Sequence, residues 1–179
     1  PGIEVESSPF AISGPPVALK LLSESRVALD TDWIGGVANA NKIHALVIDA
    51  GGNPSFVHDG MVSVSTGDFG FTLTGQLDQP VQKGIAVFEN LAADKIGSPR
   101  LRFSYPLADQ TLVFVTRPIQ VVAGPAHQLG ILLQPGWSKN EGGTAFPWQP
   151  LVQVQDAGGN AVEHVTPVTA TLAVQATPG

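Results

Sequence analysis

The sequence predicts an all-β protein made of tandem antiparallel β-sandwich domains, one complete and two partial. Three observations support this fold class. Apolar and polar residues alternate with a period of two in many short stretches, as in strands that bury one face. Turns rich in glycine and proline, which number 20 and 15 among the 179 residues, separate these stretches. The same landmarks also recur after about 110 residues, the size of one small domain.

The complete repeat contains about seven predicted strands, which favours a two-sheet sandwich over a barrel, the second alternative. Leu101, Phe103 and Tyr105 alternate with polar residues, as in a half-buried strand. The stretch at 111–115 is apolar on both faces, so we expect both faces to be covered. No stretch sustains the i, i+3, i+4, i+7 spacing of an amphipathic helix. The predicted strands are 17–22, 43–49, 61–65, 70–74, 85–89, 100–105 and 111–122.

The same alternation predicts which residues of this repeat form its core, because alternate residues of a strand face the same side. We expect the turn residues Asp49 and Asn53 to fix the connection after the second predicted strand. The predicted core residues are Leu19, Leu21, Val47, Phe71, Phe88, Leu101, Phe103 and Phe114.

Two landmarks mark equivalent points in successive repeats. The Asp-Ala-Gly-Gly-Asn sequence at 49–53 recurs at 156–160, and the Gly-Pro pair at 14–15 recurs at 124–125. Each Gly-Pro pair is followed by an apolar strand pattern. Because proline fixes φ and restricts the residue before it, these pairs predict short, stiff joints between domains.

A third landmark, Gly35-Gly36, recurs as Gly142-Gly143, at the same offset as the Asp-Ala-Gly-Gly-Asn loops. The offset of the Gly-Pro pairs differs slightly, and one short gap between Leu22 and Gly35 accounts for the difference. Together the landmarks divide the chain into three parts. We expect the last strand of a preceding repeat at 1–13, a complete sandwich at 14–123 and the first half of a following repeat at 124–179.

Composition excludes several classes of function. The formal net charge of −6 lacks the basic surface that nucleic acid requires. No apolar run approaches the roughly 18 residues of a membrane-spanning helix, so we expect no membrane insertion. Cysteine is absent, which excludes disulfides, thiolate catalysis and cysteine-bound zinc.

No motif of an enzyme, cofactor site or metal site is recognised, so we expect a protein that is not an enzyme and binds no cofactor or metal. The Asp-Ala-Gly-Gly-Asn loops carry oxygen atoms that could bind Ca²⁺, but they lack the ligand spacing of an EF-hand. We interpret them as turns, in which Asp accepts backbone N–H bonds and glycine supplies positive φ. The four histidines, which have no metal-binding spacing, are His44, His58, His127 and His164.

Aromatic residues suggest a surface for interaction. Trp137, Phe146 and Trp148 cluster in the third repeat, and Trp33 lies in the matching region of the second. Exposed aromatic rings can stack on sugars or anchor a partner protein. The alternative is that these rings pack between a loop and a sheet, or between neighbouring domains.

Three segments resemble a known class of repeats: Asp-Ala-Gly-Gly-Asn, the stretch from Gly84 to Leu91, and the stretch from Val122 to Leu129. They are similar to the tandem immunoglobulin-like repeats (bacterial Ig-like, invasin-like and filamin-like) of large surface and extracellular fibre proteins. The resemblance implies a structural segment of an extracellular filament, stalk or adhesin. It also implies that neighbouring repeats, and other copies in a fibre, are the partners, and it supplies no catalytic residues.

Other functions stay open at the level of sequence. An exposed aromatic platform would favour a carbohydrate-binding or protein-binding module, with glycans as ligands. A third alternative is an accessory domain of a secreted enzyme. A cytoplasmic filamin-like crosslinker is also compatible with the absence of cysteine.

Overall fold

The computed structural model describes residues 12–56, 59–136, 144–163 and 167–171. Strands dominate this part of the chain, so the predicted all-β class is confirmed. The predicted last strand at 1–13 lies almost entirely outside the described residues. In chain order the elements are β1 (Ala18–Leu21), α1 (Ser25–Asp30), β2 (Trp33–Ile34), β3 (Ile43–Ile48), β4 (Met61–Thr66), β5 (Leu73–Thr74), β6 (Asp78–Pro80), β7 (Ile85–Phe88), β8 (Ala92–Ala93), β9 (Leu101–Pro106), β10 (Thr111–Val115), β11 (Val121–Val122), β12 (Gln128–Leu133) and β13 (Leu151–Gln155).

Two antiparallel sheets in the complete repeat face each other across one core. The first sheet has the strand order β1-β3-β7, and the second has the order β10-β9-β4-β6. Phe88 of the first sheet contacts Phe103 of the second edge to face, with ring centroids 5.3 Å apart. Apart from Ile48, the other buried residues of both sheets belong to the same hydrophobic cluster. The apolar residues of each strand therefore meet between the two sheets, as their alternation with a period of two predicted.

Most of the predicted core residues lie in this cluster. Leu19, Val47, Phe88, Leu101 and Phe103 are buried. Leu21 and Phe114 are half-buried and pack against the cluster. Phe71 is half-buried but lies outside it.

The expectation that both faces of the 111–115 stretch are covered is wrong. Leu112 is buried, but the side chains of Val113 and Val115 are 42% and 47% exposed. The cause is that only one face of the second sheet meets the core, so alternate residues of β10, as of its neighbour β9, face solvent. Valine tolerates this position because β-branched residues suit a pleated surface whether or not it is covered.

The predicted strand at 111–122 is divided into two. β10 ends at Val115, and the chain passes Pro118, which has no N–H to donate to a ladder, before β11 begins. β11 then pairs in parallel with β2, with Val121 opposite Trp33. Neither this parallel pair nor the six-residue helix α1 is predicted by the sequence pattern, because both are too short for a repeated apolar spacing to stand out.

The described part of the third repeat contains one antiparallel pair, β12 with β13. Its register repeats that of β1 with β3: Leu19 pairs with Val47, and Leu129 pairs with Val154 at the corresponding positions. Burial differs sharply between the two pairs, because Leu19 is 5% exposed and Leu129 is 55% exposed. In the described residues, the pair β12–β13 therefore has the ladder of the complete repeat without its second sheet. No described helix is long or apolar enough to cross a lipid bilayer.

Truncating an inter-sheet ring tests this core. We expect Phe103→Ala to lower the free energy of unfolding by about 3–5 kcal/mol, because it leaves a cavity opposite Phe88. Phe69→Ala is the matched control, since this phenylalanine is fully exposed and should change stability by less than about 0.5 kcal/mol. Denaturant unfolding measures both, and equal losses would contradict the two-sheet core.

Candidate functional site at the junction between the sequence repeats

The side chain of Asp49 organises the loop at 49–53 and ties it to the segment that enters the repeat. Its Oδ1 accepts hydrogen bonds from the backbone N–H of Gly51 and of Asn53, both at 2.9 Å. Its Oδ2 accepts a bond from the N–H of Gly14 at 2.8 Å. One carboxylate therefore closes the turn and holds the Gly-Pro segment against it.

Asp156 makes the same bonds in the next repeat. Its Oδ1 accepts from the N–H of Gly158 at 2.9 Å and of Asn160 at 2.8 Å. Its Oδ2 accepts from the N–H of Gly124 at 3.0 Å. We call this arrangement, in either repeat, the clasp: an Asp carboxylate bonded to its own loop and to the glycine of the preceding Gly-Pro pair.

The turn interpretation of both loops is confirmed. Gly52 and Gly159 have φ values of 82° and 78°, which only glycine adopts without strain. In each loop the Asp Oδ1 accepts two backbone N–H bonds, as in an Asx-type turn. Across the described ranges, no group of three or more His, Cys, Asp or Glu side chains could hold a metal ion.

Hydrogen bonding lowers the pKa of both carboxyl groups. For Asp49 the largest cause is the backbone N–H of Asn53, followed by that of Gly14. For Asp156, burial raises the pKa, but the bonds from Gly124, Asn160 and Gly158 outweigh it. The clasp is therefore built for the ionised form of each carboxyl group.

The second loop, at 156–160, also docks on the complete repeat. The side-chain amide of Asn160 donates to the carbonyl of Asp94 at 2.7 Å, and its Oδ1 accepts from the N–H of Ile96 at 3.1 Å. The ammonium of Lys95 donates to the carbonyl of Gly158 at 3.0 Å. The side chain of Asn160 thus bonds to a backbone acceptor, the carbonyl of Asp94, and to a backbone donor, the N–H of Ile96. The two bonds together fix the orientation of its amide group.

Glycine allows the two repeats to approach closely. A Cβ atom on Gly36 would overlap the backbone of Ala157 and Gly158, and one on Gly158 would overlap the carbonyl of Asp94. A Cβ on Gly35 would overlap the side chain of Asn160. Gly36 and Gly158 are therefore required by contact between backbones, and Gly35 by contact with the side chain of Asn160. We call the surface formed by Gly35, Gly36, Asp94, Lys95 and Ile96 the receiving face.

Trp33 lies buried in β2, the strand that leads into the receiving face. Its side chain is only 1% exposed, and its indole N–H donates to the carbonyl of Ala28 in α1 at 2.7 Å. From β2 the chain runs directly into Gly35, whose N–H donates to the carbonyl of Val122 at 2.9 Å. The parallel pair β2–β11 therefore places the receiving face beside the exit of the chain toward Gly124.

This position corrects the expectation that Trp33 contributes to an exposed aromatic surface, because a buried ring cannot stack on a ligand. Phe146 and Trp148 are 40% and 67% exposed. Trp137 lies outside the described residues. The predicted aromatic cluster is thus reduced to one exposed pair within the part of the chain that the structure describes.

The sequence predicts the loops and the glycine pair as landmarks but gives no sign of the segment 94–96. Asp94 and Ile96 contribute backbone atoms to the receiving face, and backbone atoms leave no trace in residue type. The side chain of Lys95 is exposed and makes one bond to a carbonyl. The only signal that could have pointed to this surface was the recurrence of Gly35-Gly36 in the same order as the loops.

Comparisons with protein-family models, curated proteins and solved structures find no match to this chain.

A pair of glycine substitutions separates backbone strain from contact between repeats. We expect Gly36→Ala and Gly52→Ala each to cost about 1–2 kcal/mol, since both glycines have positive φ. Only Gly36→Ala should also open the junction, because no atom lies within 4 Å of a Cβ on Gly52. Amide hydrogen exchange of Ile96 measures the opening, and equal protection of Ile96 in both variants would contradict the docking geometry.

Acid should release both clasps. The unfolded carboxyl group titrates near pH 3.9, and the folded pKa lies below that value. The stability contributed by the clasps is therefore fully present above about pH 4 and is lost as the pH falls through the folded pKa. The amide proton shifts of Gly14 and Gly124 measure this titration.

Asp156→Asn provides the control for the acid titration. This change should abolish the titration at Gly124 while leaving that at Gly14 intact, because each carboxylate binds only its own glycine. A titration at Gly124 that survives Asp156→Asn would contradict the assignment.

Proposed function

We propose that this chain is a stretch of tandem Ig-like β-sandwich repeats in a large extracellular filament, stalk or adhesin. In this proposal residues 1–13 end one repeat, residues 14–123 form a complete one and residues 124–179 begin the next. The role is that of a stiff spacer and assembly surface without catalytic activity. Its partners are neighbouring repeats and other copies in a fibre.

The observation that carries the proposal is the recurrence of the clasp. In both repeats the same Asp oxygens bind the same backbone positions, and the adjoining strands pair in the same register. Recurring landmarks inside one continuous core would have unrelated surroundings. Matching surroundings are expected when a module is repeated along the chain.

The geometry of the junction also suits a load-bearing spacer. β11 ends at Val122, and the clasp of the next repeat binds Gly124. A single residue therefore separates the last strand of one repeat from the clasp of the next. A joint of this length cannot act as a flexible linker. Bonds from Asn160 and Lys95 to the other repeat resist rotation about it.

Electron microscopy of the native particle tests the proposal. Repeats joined in this way should give an extended rod or fibre with a regular axial period. Globular particles of discrete size would contradict a structural role.

Trp148 and Phe146 favour a second candidate, a carbohydrate-binding or protein-binding module. Both rings are exposed in the described part of the third repeat, and exposed aromatic rings stack on sugars. Binding to a glycan array that is lost in Trp148→Ala and kept in Phe69→Ala would support this candidate. Phe69 is a suitable control because its ring is fully exposed elsewhere on the surface.

A further inference from the structure

We propose that the loop at 49–53 is a docking surface, and that its occupant is the receiving face of the repeat that precedes Gly14. The corresponding face in the complete repeat is formed by Gly35, Gly36 and residues 94–96. This inference rests on the proposed function and names the contact through which each repeat holds the one before it.

The two loops have the same internal bonds but different exposure. Asp49 and Asp156 are both buried at the centre of their turns. Asn160 is buried as well, whereas its counterpart Asn53 is exposed. The difference arises because Asn160 contacts the receiving face and Asn53 contacts no other repeat among the described residues.

Asn53 also has hydrogen-bonding capacity that its own loop does not use. Its side-chain amide reaches Asp49 at 3.4 Å, a long and weak bond. The side chain of Asn160 makes the corresponding contact at 3.0 Å and in addition binds the backbone of Asp94 and Ile96. The first loop therefore presents the donor and acceptor pair that the second loop uses for docking.

Shape complementarity selects the same occupant. Gly51 corresponds to Gly158, the position at which a Cβ would overlap the carbonyl of Asp94 in the docked loop. In the first loop a Cβ on Gly51 would lie 2.9 Å from the side-chain nitrogen of Asn53, the end of a flexible side chain, and its nearest neighbours all belong to its own loop. Glycine at position 51 thus leaves room at the place where the docked loop meets the carbonyl of Asp94.

The position of the loop identifies the occupant as the preceding repeat of the same chain. Asp156 clasps Gly124, and its loop docks on the repeat that ends just before Gly124. Asp49 clasps Gly14 in the same way, so its loop faces the repeat that ends just before Gly14. A second copy of the chain would not serve, because its receiving face is already filled by its own loop at 156–160.

Each repeat would then use two different surfaces, one for the repeat before it and one for the repeat after it. Such heterologous contacts do not close on themselves unless the rotation per step happens to form a ring. The result is an open chain of repeats with one direction.

A duplicated chain tests the inference directly. In this chain residues 1–123 are followed by residues 14–179, so that Gly14-Pro15 of the second copy replaces Gly124-Pro125 after the first. We expect the Ile96 amide of the first copy to be protected from hydrogen exchange by Asn53 of the second copy. Asn53→Ala in the second copy should speed this exchange about two- to tenfold, the effect of losing one junction bond.

Two matched controls accompany this experiment. Asn53→Ala in the original 179-residue chain should leave the exchange of Ile96 unchanged, since there Asn160 protects it. Asn160→Ala in the duplicated chain should expose only the Ile96 amide of the second copy. Segmental isotope labelling distinguishes the copies, and the Phe103 amide reports whether each copy is folded.

An unprotected Ile96 amide in a folded first copy would overturn the inference, as would protection that survives Asn53→Ala. Either result would leave the structural role intact, because that role is tested by the shape of the native particle. Globular native particles would remove the proposed function even if the two loops docked identically.

Discussion

The ionised carboxylate of the clasp is the constraint on which the rest of the junction depends. One oxygen of Asp156 orders the loop, and the other holds Gly124 of the incoming segment. If the loop were not ordered, Asn160 would not be placed to bind Asp94 and Ile96. A single side chain therefore couples the fold of a turn, the path of the chain between repeats and the docking of one repeat on another.

The free energies of the junction hydrogen bonds can be compared with that of the core between the sheets. Three side-chain hydrogen bonds join the loop at 156–160 to segment 94–96, each contributing about 0.5–1.5 kcal/mol, and the exposed Lys95 bond contributes least. Together they contribute about 1.5–4.5 kcal/mol, and removing one inter-sheet phenylalanine costs about 3–5 kcal/mol. A single core ring therefore contributes about as much as the whole set of junction bonds, and the many other buried residues make the core the main source of stability of the complete repeat.

The sequence pattern predicts local structure correctly where a single physical requirement determines the residue type. Alternating Leu101, Phe103 and Tyr105 predicted a half-buried strand, and the Asp and Gly positions of the loops predicted turns of the type that is observed. It failed where tertiary contacts decide. Trp33 could have faced either side of a two-residue strand, and only the carbonyl of Ala28 and the core settle its burial. Asp94 and Ile96 bind Asn160 through backbone atoms, which composition cannot encode.

We expect the clasp and the docked loop to hold the two repeats in one relative orientation. The chain contains no cysteine, so spin labels can be attached at Phe69→Cys in the complete repeat and at Leu129→Cys in β12, both exposed positions. Double electron–electron resonance should give a single narrow distance distribution, which Asp156→Ala should broaden. A distribution that is already broad with Asp156 present, or one that Asp156→Ala leaves narrow, would contradict the account.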